Sequence, residues 1–268
     1  PEGDGPVDVA TTPNGAIAVT ANYWSANVSI IDVATSTTLA WVDVGANPTD
    51  VEITPDGQYA IVSCVGDDSV RIISLVSRTI VKSFLNLLID PSDILISPNG
   101  ATAMVATVGD NGPNDKIYFI NLNGANSTLT ATLTVGNLAN TSSGYTQMAL
   151  SPNGSLLAVP VTRENKVVLI DTATRQIIKS LPTGSFPMSA VFSESGSFLY
   201  VLNVNSESVS VVQVAGTNSS IVRTIEQLKQ VNKILADDNY FYVVSNDTST
   251  KRISVLVFDS ASMSLVHT

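Results

Sequence analysis

The chain has 268 residues, 44% of them hydrophobic and 13% charged, with 23 acids against 13 Lys and Arg and a net charge of −10. So few charges among so many Val, Ile, Thr and Ser exclude a disordered chain or a coiled coil, and no window approaches the roughly 18 consecutive apolar residues of a membrane span. Ten of the acids lie in residues 1–70, which contain no Lys or Arg. Nucleic acid needs clustered bases and is excluded as a partner, whereas cations or a basic partner suit this surface.

In chain order, the first element is a strand at Val7-Asp8-Val9-Ala10-Thr11, closed by the turn Thr12-Pro13-Asn14-Gly15. A second strand follows at Ala16-Ile17-Ala18-Val19-Thr20 and a third at Val28-Ser29-Ile30-Ile31-Asp32. The small polar turn Val33-Ala34-Thr35-Ser36 leads to a fourth strand that ends in Val-Gly. Pro presets φ near −65°, and Asn-Gly or Asp-Gly is expected to supply the positive φ of a tight hairpin. The same turn returns at Thr54-Pro55-Asp56-Gly57, Ser97-Pro98-Asn99-Gly100, Ser151-Pro152-Asn153-Gly154 and Ser193-Glu194-Ser195-Gly196, and in degraded form at Ala236-Asp237-Asp238-Asn239. The final residues of successive turns are 42, 43, 54, 42 and 43 apart. Strands recur around each, as at Ser92-Asp93-Ile94-Leu95-Ile96, Val167-Val168-Leu169-Ile170-Asp171 and Ile253-Ser254-Val255-Leu256-Val257. The segment nearest to a helix, 222–231, aligns with a fourth strand.

Four short β-branched strands per roughly 43 residues is the size of a propeller blade. The fold class is therefore all-β, a β-propeller of six four-stranded antiparallel blades, with seven as the alternative. One domain spans 1–268, its blades near 6–47, 48–90, 91–144, 145–186, 187–230 and 231–268. The third-strand residues Ile30, Ile31, Ile72, Ile73, Leu169, Ile170, Val211 and Val212 are expected to be covered on both faces. The chain begins at Pro1 and reads as a processed form or an excised segment, and a closed six-bladed ring is expected.

Phe198-Leu199-Tyr200-Val201-Leu202-Asn203, Ser151-Pro152-Asn153-Gly154 and Val168-Leu169-Ile170-Asp171-Thr172-Ala173-Thr174 resemble the YVTN family of β-propeller repeats, familiar from surface-layer and exported proteins. The resemblance covers essentially the whole chain. It implies an extracellular or cell-surface setting and a rigid binding or structural module of adhesion or surface-layer type, with a protein or glycan partner and no insertion into the membrane. Six Asn-x-Ser/Thr sequons, at Asn27, Asn126, Asn140, Asn153, Asn218 and Asn246, fall in expected turns or strand ends and agree with that setting.

Chemistry is sought where innermost strands begin. Blades one to three place aspartate in one slot, as Pro6-Val7-Asp8, Pro48-Thr49-Asp50 and Pro91-Ser92-Asp93, and blades four to six place Gln147, Ser189 and Lys233 there. Converging carboxylates repel one another unless hydrated or sharing a cation, and hard cations such as Ca2+ prefer such oxygens. Asp8, Asp50, Asp93 and Gln147 are thus candidate metal ligands. The alternative is that each aspartate caps its turn or bonds a neighbouring blade's backbone. A second candidate loop, Gly109 to Lys116, carries Asp110 and Asp115, but lacks the spacing of a helix–loop–helix calcium site. Tyr23 and Trp24 form a candidate sugar-stacking pair, with inter-blade packing as the alternative. Asp32, Asp43, Glu52 and Asp56 are assigned to solubility. The single Cys64 sits in an apolar run and reads as a small buried hydrophobe.

The only histidine is His267, so the body of the chain holds neither a Ser-His-Asp arrangement nor a multi-histidine metal site. A metal-dependent lactonase-like hydrolase with a carboxylate-lined channel survives as the alternative to a non-enzymatic module. It would rest on Asp8, Asp50 and Asp93.

Overall fold

The computed structural model describes residues 3–86, 89–109, 114–138, 140–141, 144–247 and 252–267. The chain forms an all-β propeller whose described residues contain six four-stranded antiparallel sheets, each with its strands in sequence order. It divides into two compact units, Pro1–Thr134 and Val135–Thr268. The first holds blades one to three, whose first strands are Pro6–Thr11, Pro48–Ile53 and Pro91–Ile96; the second holds blades four to six, beginning at Ala149–Leu150, Pro187–Phe192 and Val231–Ala236.

Each repeated turn is built the same way. The amide of Gly15 donates to the Thr12 carbonyl at 2.8 Å, and Gly57, Gly100, Gly154 and Gly196 repeat this bond. Only the glycines take positive φ, from 67° to 72°. The residue before each glycine keeps negative φ, which corrects the expectation that Asn-Gly would share the left-handed conformation. Asn14, Asp56, Asn99 and Asn153 serve instead through a side-chain oxygen, which accepts the amide of the residue two positions on at 3.0 Å. The Thr or Ser that opens the turn accepts the first amide of the next strand at 2.9–3.1 Å. These local bonds explain why the tetrapeptide recurs. A Cβ on Gly100 would meet only the Pro55 ring at 3.4 Å, an ordinary contact. Gly100→Ala should therefore cost about 1–2 kcal/mol through its left-handed backbone alone, read as a lowered midpoint in denaturant.

The third-to-fourth turns use a second device. Asp32, Asp171 and Asp259 each accept both the amide and the hydroxyl of the Thr or Ser three residues on, at 2.7–2.8 Å. Asn203, last residue of the Phe198–Asn203 strand, donates across its hairpin to Ser208 and Ser210, and Asn22 does the same to Asn27 and Ser29. Asn27 is consequently 1% exposed, so in the folded chain its sequon cannot accept a glycan; Asn126, Asn153 and Asn218 are exposed.

Blade four departs from the pattern. Its first strand has two residues, paired with Leu157 and Ala158, and the ladder stops before Pro160, which has no amide hydrogen to offer. Tyr145, the expected start of this blade, lies instead in a small hairpin formed by Asn140–Thr141 and Gly144–Tyr145.

Among the described residues, apolar clusters hold consecutive blades together within each unit. Val19, Val28 and Ile30 of blade one meet Val51, Val62 and Ile73 of blade two. Ile61, Val70 and Ile72 on the other face of blade two meet Ile94, Val105 and Ile120. In the second unit Val167 and Leu169 meet Leu199, Val201 and Val212, and Tyr200, Val209 and Val211 meet Phe241, Val243 and Phe258. All the third-strand residues expected to be covered on both faces are buried except Ile31, which is half-buried. Cys64 is fully buried, and burial pushes its thiol up to about 12.

Candidate functional site

The repeated Pro-x-Asp opens a strand with proline, which has no ladder hydrogen bond to lose there. A register shift follows between Pro6 and Asp8 and between Pro48 and Asp50. Such a bulge re-aims the next side chain, and here it turns the aspartate towards the following blade. Asp8 Oδ2 accepts the Val51 amide at 2.9 Å, and Asp50 Oδ2 accepts the Ile94 amide at 2.6 Å. Each carboxylate thus reaches the first strand of the blade some 43 residues further on.

The three aspartates of the first unit interact. Burial drives the Asp50 carboxyl well above the usual carboxylate range, and the Asp93 charge, a hydrogen bond with Asp8 and the charges of Asp8 and Glu52 push it the same way. Asp50 keeps a little solvent contact by area, but the surrounding protein displaces most of its hydration. Glu52 lies two residues along the same strand and therefore on the same face. Burial, followed by the Asp8 charge, raises it to about 7 against the pull of the Ile53 amide. This corrects its assignment to solubility. Strand alternation from Asp50 was the available signal.

Gln147 lies in the second unit. Its carbonyl accepts the Ala190 amide at 3.3 Å, its amide donates to Met188 at 2.7 Å, and its Oε1 accepts the Ser189 hydroxyl at 3.2 Å. It therefore ties blade four to blade five, as aspartate ties blades in the first unit. Among the described residues no three His, Cys, Asp or Glu side chains are arranged to hold a metal ion.

In the second candidate loop, Asp110 lies outside the described residues. Asp115 is 4% exposed and accepts the Gly109 amide at 2.8 Å, closing the base of the loop. Beside it is a cavity of about 240 Å³, lined by Thr107, Gly109, Asn114, Lys116 and Tyr118 among others.

Trp24 is 72% exposed and packs edge-to-face with Tyr23, ring centres 4.8 Å apart and planes at 84°. The Tyr23 and Trp24 amides donate to the Gly5 and Asp4 carbonyls, which fixes this turn against the N-terminal segment. Trp24 presents most of its ring to solvent. Among the described residues no helix is long and apolar enough to cross a membrane.

Residues 1–236 match a family model described as lactonase, 7-bladed β-propeller. No curated protein matches the chain. Among solved structures, it is similar to hydrazine synthase of Kuenenia stuttgartiensis at 18% identity, over 94% of this chain and 83% of that one, with a TM-score of 0.73. A protein described as functionally unknown from Desulfotomaculum acetoxidans DSM 771 matches at 17% identity, over 94% and 78%, with a TM-score of 0.74. The β-propeller domain of Cps50 (Swd1) from Myceliophteria thermophila matches at 14%, over 98% and 85%, with a TM-score of 0.72. At such identities these structures share the fold and carry no function across.

Proposed function

This chain belongs to the lactonase family of seven-bladed β-propellers, and from that premise we propose that it uses the scaffold as a rigid, non-enzymatic binding module of an exported or cell-surface protein. One observation carries this reading: Asp8 and Asp50, two of the three aspartates on which a carboxylate-based hydrolase would rest, each give an oxygen to the next blade's backbone. A carboxyl held in this way, and in Asp50 favoured in its neutral form, supports blade packing better than it activates water or holds Ca2+. The exposed Trp24, packed edge-to-face with Tyr23, is the proposed contact for a glycan or protein partner, since an exposed indole offers a broad apolar face.

The family match favours a second reading, a metal-dependent lactonase-like hydrolase. In that case Glu52, poised near neutral pH, is the group suited to general acid–base work. One screen separates the two. A panel of lactones supplied with calcium, zinc or manganese should show no turnover above buffer, and glycan- or protein-array binding should be lost in Trp24→Ala. Turnover abolished by Asp50→Ala and by Glu52→Gln would establish the hydrolase instead.

A further inference from the structure

Blades two and three pack through an apolar cluster in which Val105 and Tyr118 of blade three meet Ile61, Val70 and Ile72 of blade two. Val105 pairs with Tyr118 across the second and third strands, and side chains two positions apart in a strand share a face. Thr107 and Lys116 therefore continue this face beyond the cluster. The cavity of about 240 Å³ beside Asp115 lies there, with Ile89, from the link between the two blades, as a further wall.

Two polar groups on this face have no partner. Tyr118 is 7% exposed, yet its hydroxyl makes no hydrogen bond among the described residues. That hydroxyl is not sealed in protein, and the cavity that Tyr118 lines is the space open to it. Burial alone raises the phenol above its ordinary value, which agrees with the missing bond. Lys116 is half-buried, and its ammonium has neither an ion pair nor a hydrogen bond among the described residues. Asp115 belongs to the opposite face of the strand, and its Oδ1 holds the Gly109 amide at 2.8 Å. The ammonium is thus the charge that shares a face with Tyr118. An unpaired cation beside an unpaired hydroxyl donor suits an oxyanion, whose hydrogen bonds to charged groups are the strong ones.

Size narrows the ligand. An apolar cavity of about 150 Å³ holds a benzene ring, so this one has room for a ring and a carboxylate. It falls short of the roughly 300 Å³ at which pockets for larger ligands begin. We propose that the cavity between blades two and three binds a small carboxylate with an apolar body, its oxygens on Lys116 and Tyr118 and its body against Ile89.

Phenylacetate is the probe. Titrated into the isotope-labelled full chain, it should shift the Gly109, Asp115 and Lys116 amide resonances along saturating curves with a Kd of about 1 mM or below. Lys116→Met should weaken binding at least about tenfold, and Tyr118→Phe about threefold to tenfold. Both variants should melt with the parent chain, because neither group has a protein partner to lose. Phenylacetamide, neutral and of the same shape, should bind at least about tenfold more weakly, with no further loss in Lys116→Met. Shifts that never saturate, or an affinity unchanged in Lys116→Met, would overturn the site. Phenylacetamide binding as tightly as phenylacetate would overturn the anion. Phenylalanine binding more tightly than either would overturn it in favour of a zwitterion that also engages Asp115.

Discussion

Phe241→Ala should lower the unfolding free energy by about 3–5 kcal/mol, the range for emptying a buried aromatic site. Phe241 sits in the second strand of blade six, fully buried. Its ring stacks on Tyr200 of blade five at 4.4 Å and on Phe258 of its own blade at 4.8 Å. The substitution removes the middle of this three-ring stack, and the flanking rings belong to strands fixed by their own ladders, so the void cannot close cheaply. Phe241→Leu keeps most of the volume and should cost less than about 1.5 kcal/mol. Urea denaturation of the two variants checks the pair. If Phe241→Ala unfolded at the wild-type midpoint, the assigned contact between blades five and six would be wrong.

The second large effect is in the pH profile. Glu52 has a folded pKa of about 7 against an ordinary 4.5, so folding takes up a proton between those values. The stability associated with this group is fully present below about 4.5 and is lost as pH rises towards 7. At about 1.4 kcal/mol per pH unit, the loss approaches 3 kcal/mol. Asp50 is shifted in the same direction and adds to the loss. The opposing carboxyls are Asp32, Asp171, Asp237, Asp259 and Glu164, which hydrogen bonds hold below their ordinary values. Their contribution is present above about 4 and fades only in more acidic solution, so the two windows barely overlap. Thermal stability should therefore be higher near pH 5 than near pH 8, and Glu52→Gln should remove most of the difference. Asp50→Asn keeps an acceptor for the Ile94 amide and should stabilise the chain at neutral pH. A profile rising steadily from pH 5 to pH 8 would mean that Glu52 is fully hydrated.

Strands, turns and blade repeat are legible in the sequence because the forces behind them are local. A Ser or Thr, an Asn or Asp and a Gly within four residues make their own bonds to nearby amides, and the same tetrapeptide folds alike wherever it occurs. The same is true of Asp32-x-x-Thr35 and Asp171-x-x-Thr174, and of the apolar third strands. What the side chains meet across a blade boundary is set by residues some 43 positions away, and no short pattern encodes it. Glu52 and Asp56 look alike in the sequence, yet one is desolvated against Asp8 while the other caps an exposed turn. Asn27 and Asn218 share a sequon, but a hairpin buries only the first. Val9 and Val51 occupy the same place in the repeat, yet only the second is buried, against the side chains of blade one. The spacing of Asp8, Asp50 and Asp93 announced that carboxylates would meet. Tertiary packing decided what two of them hold, because the bulges after Pro6 and Pro48 aim Asp8 and Asp50 at the Val51 and Ile94 amides of the next blade.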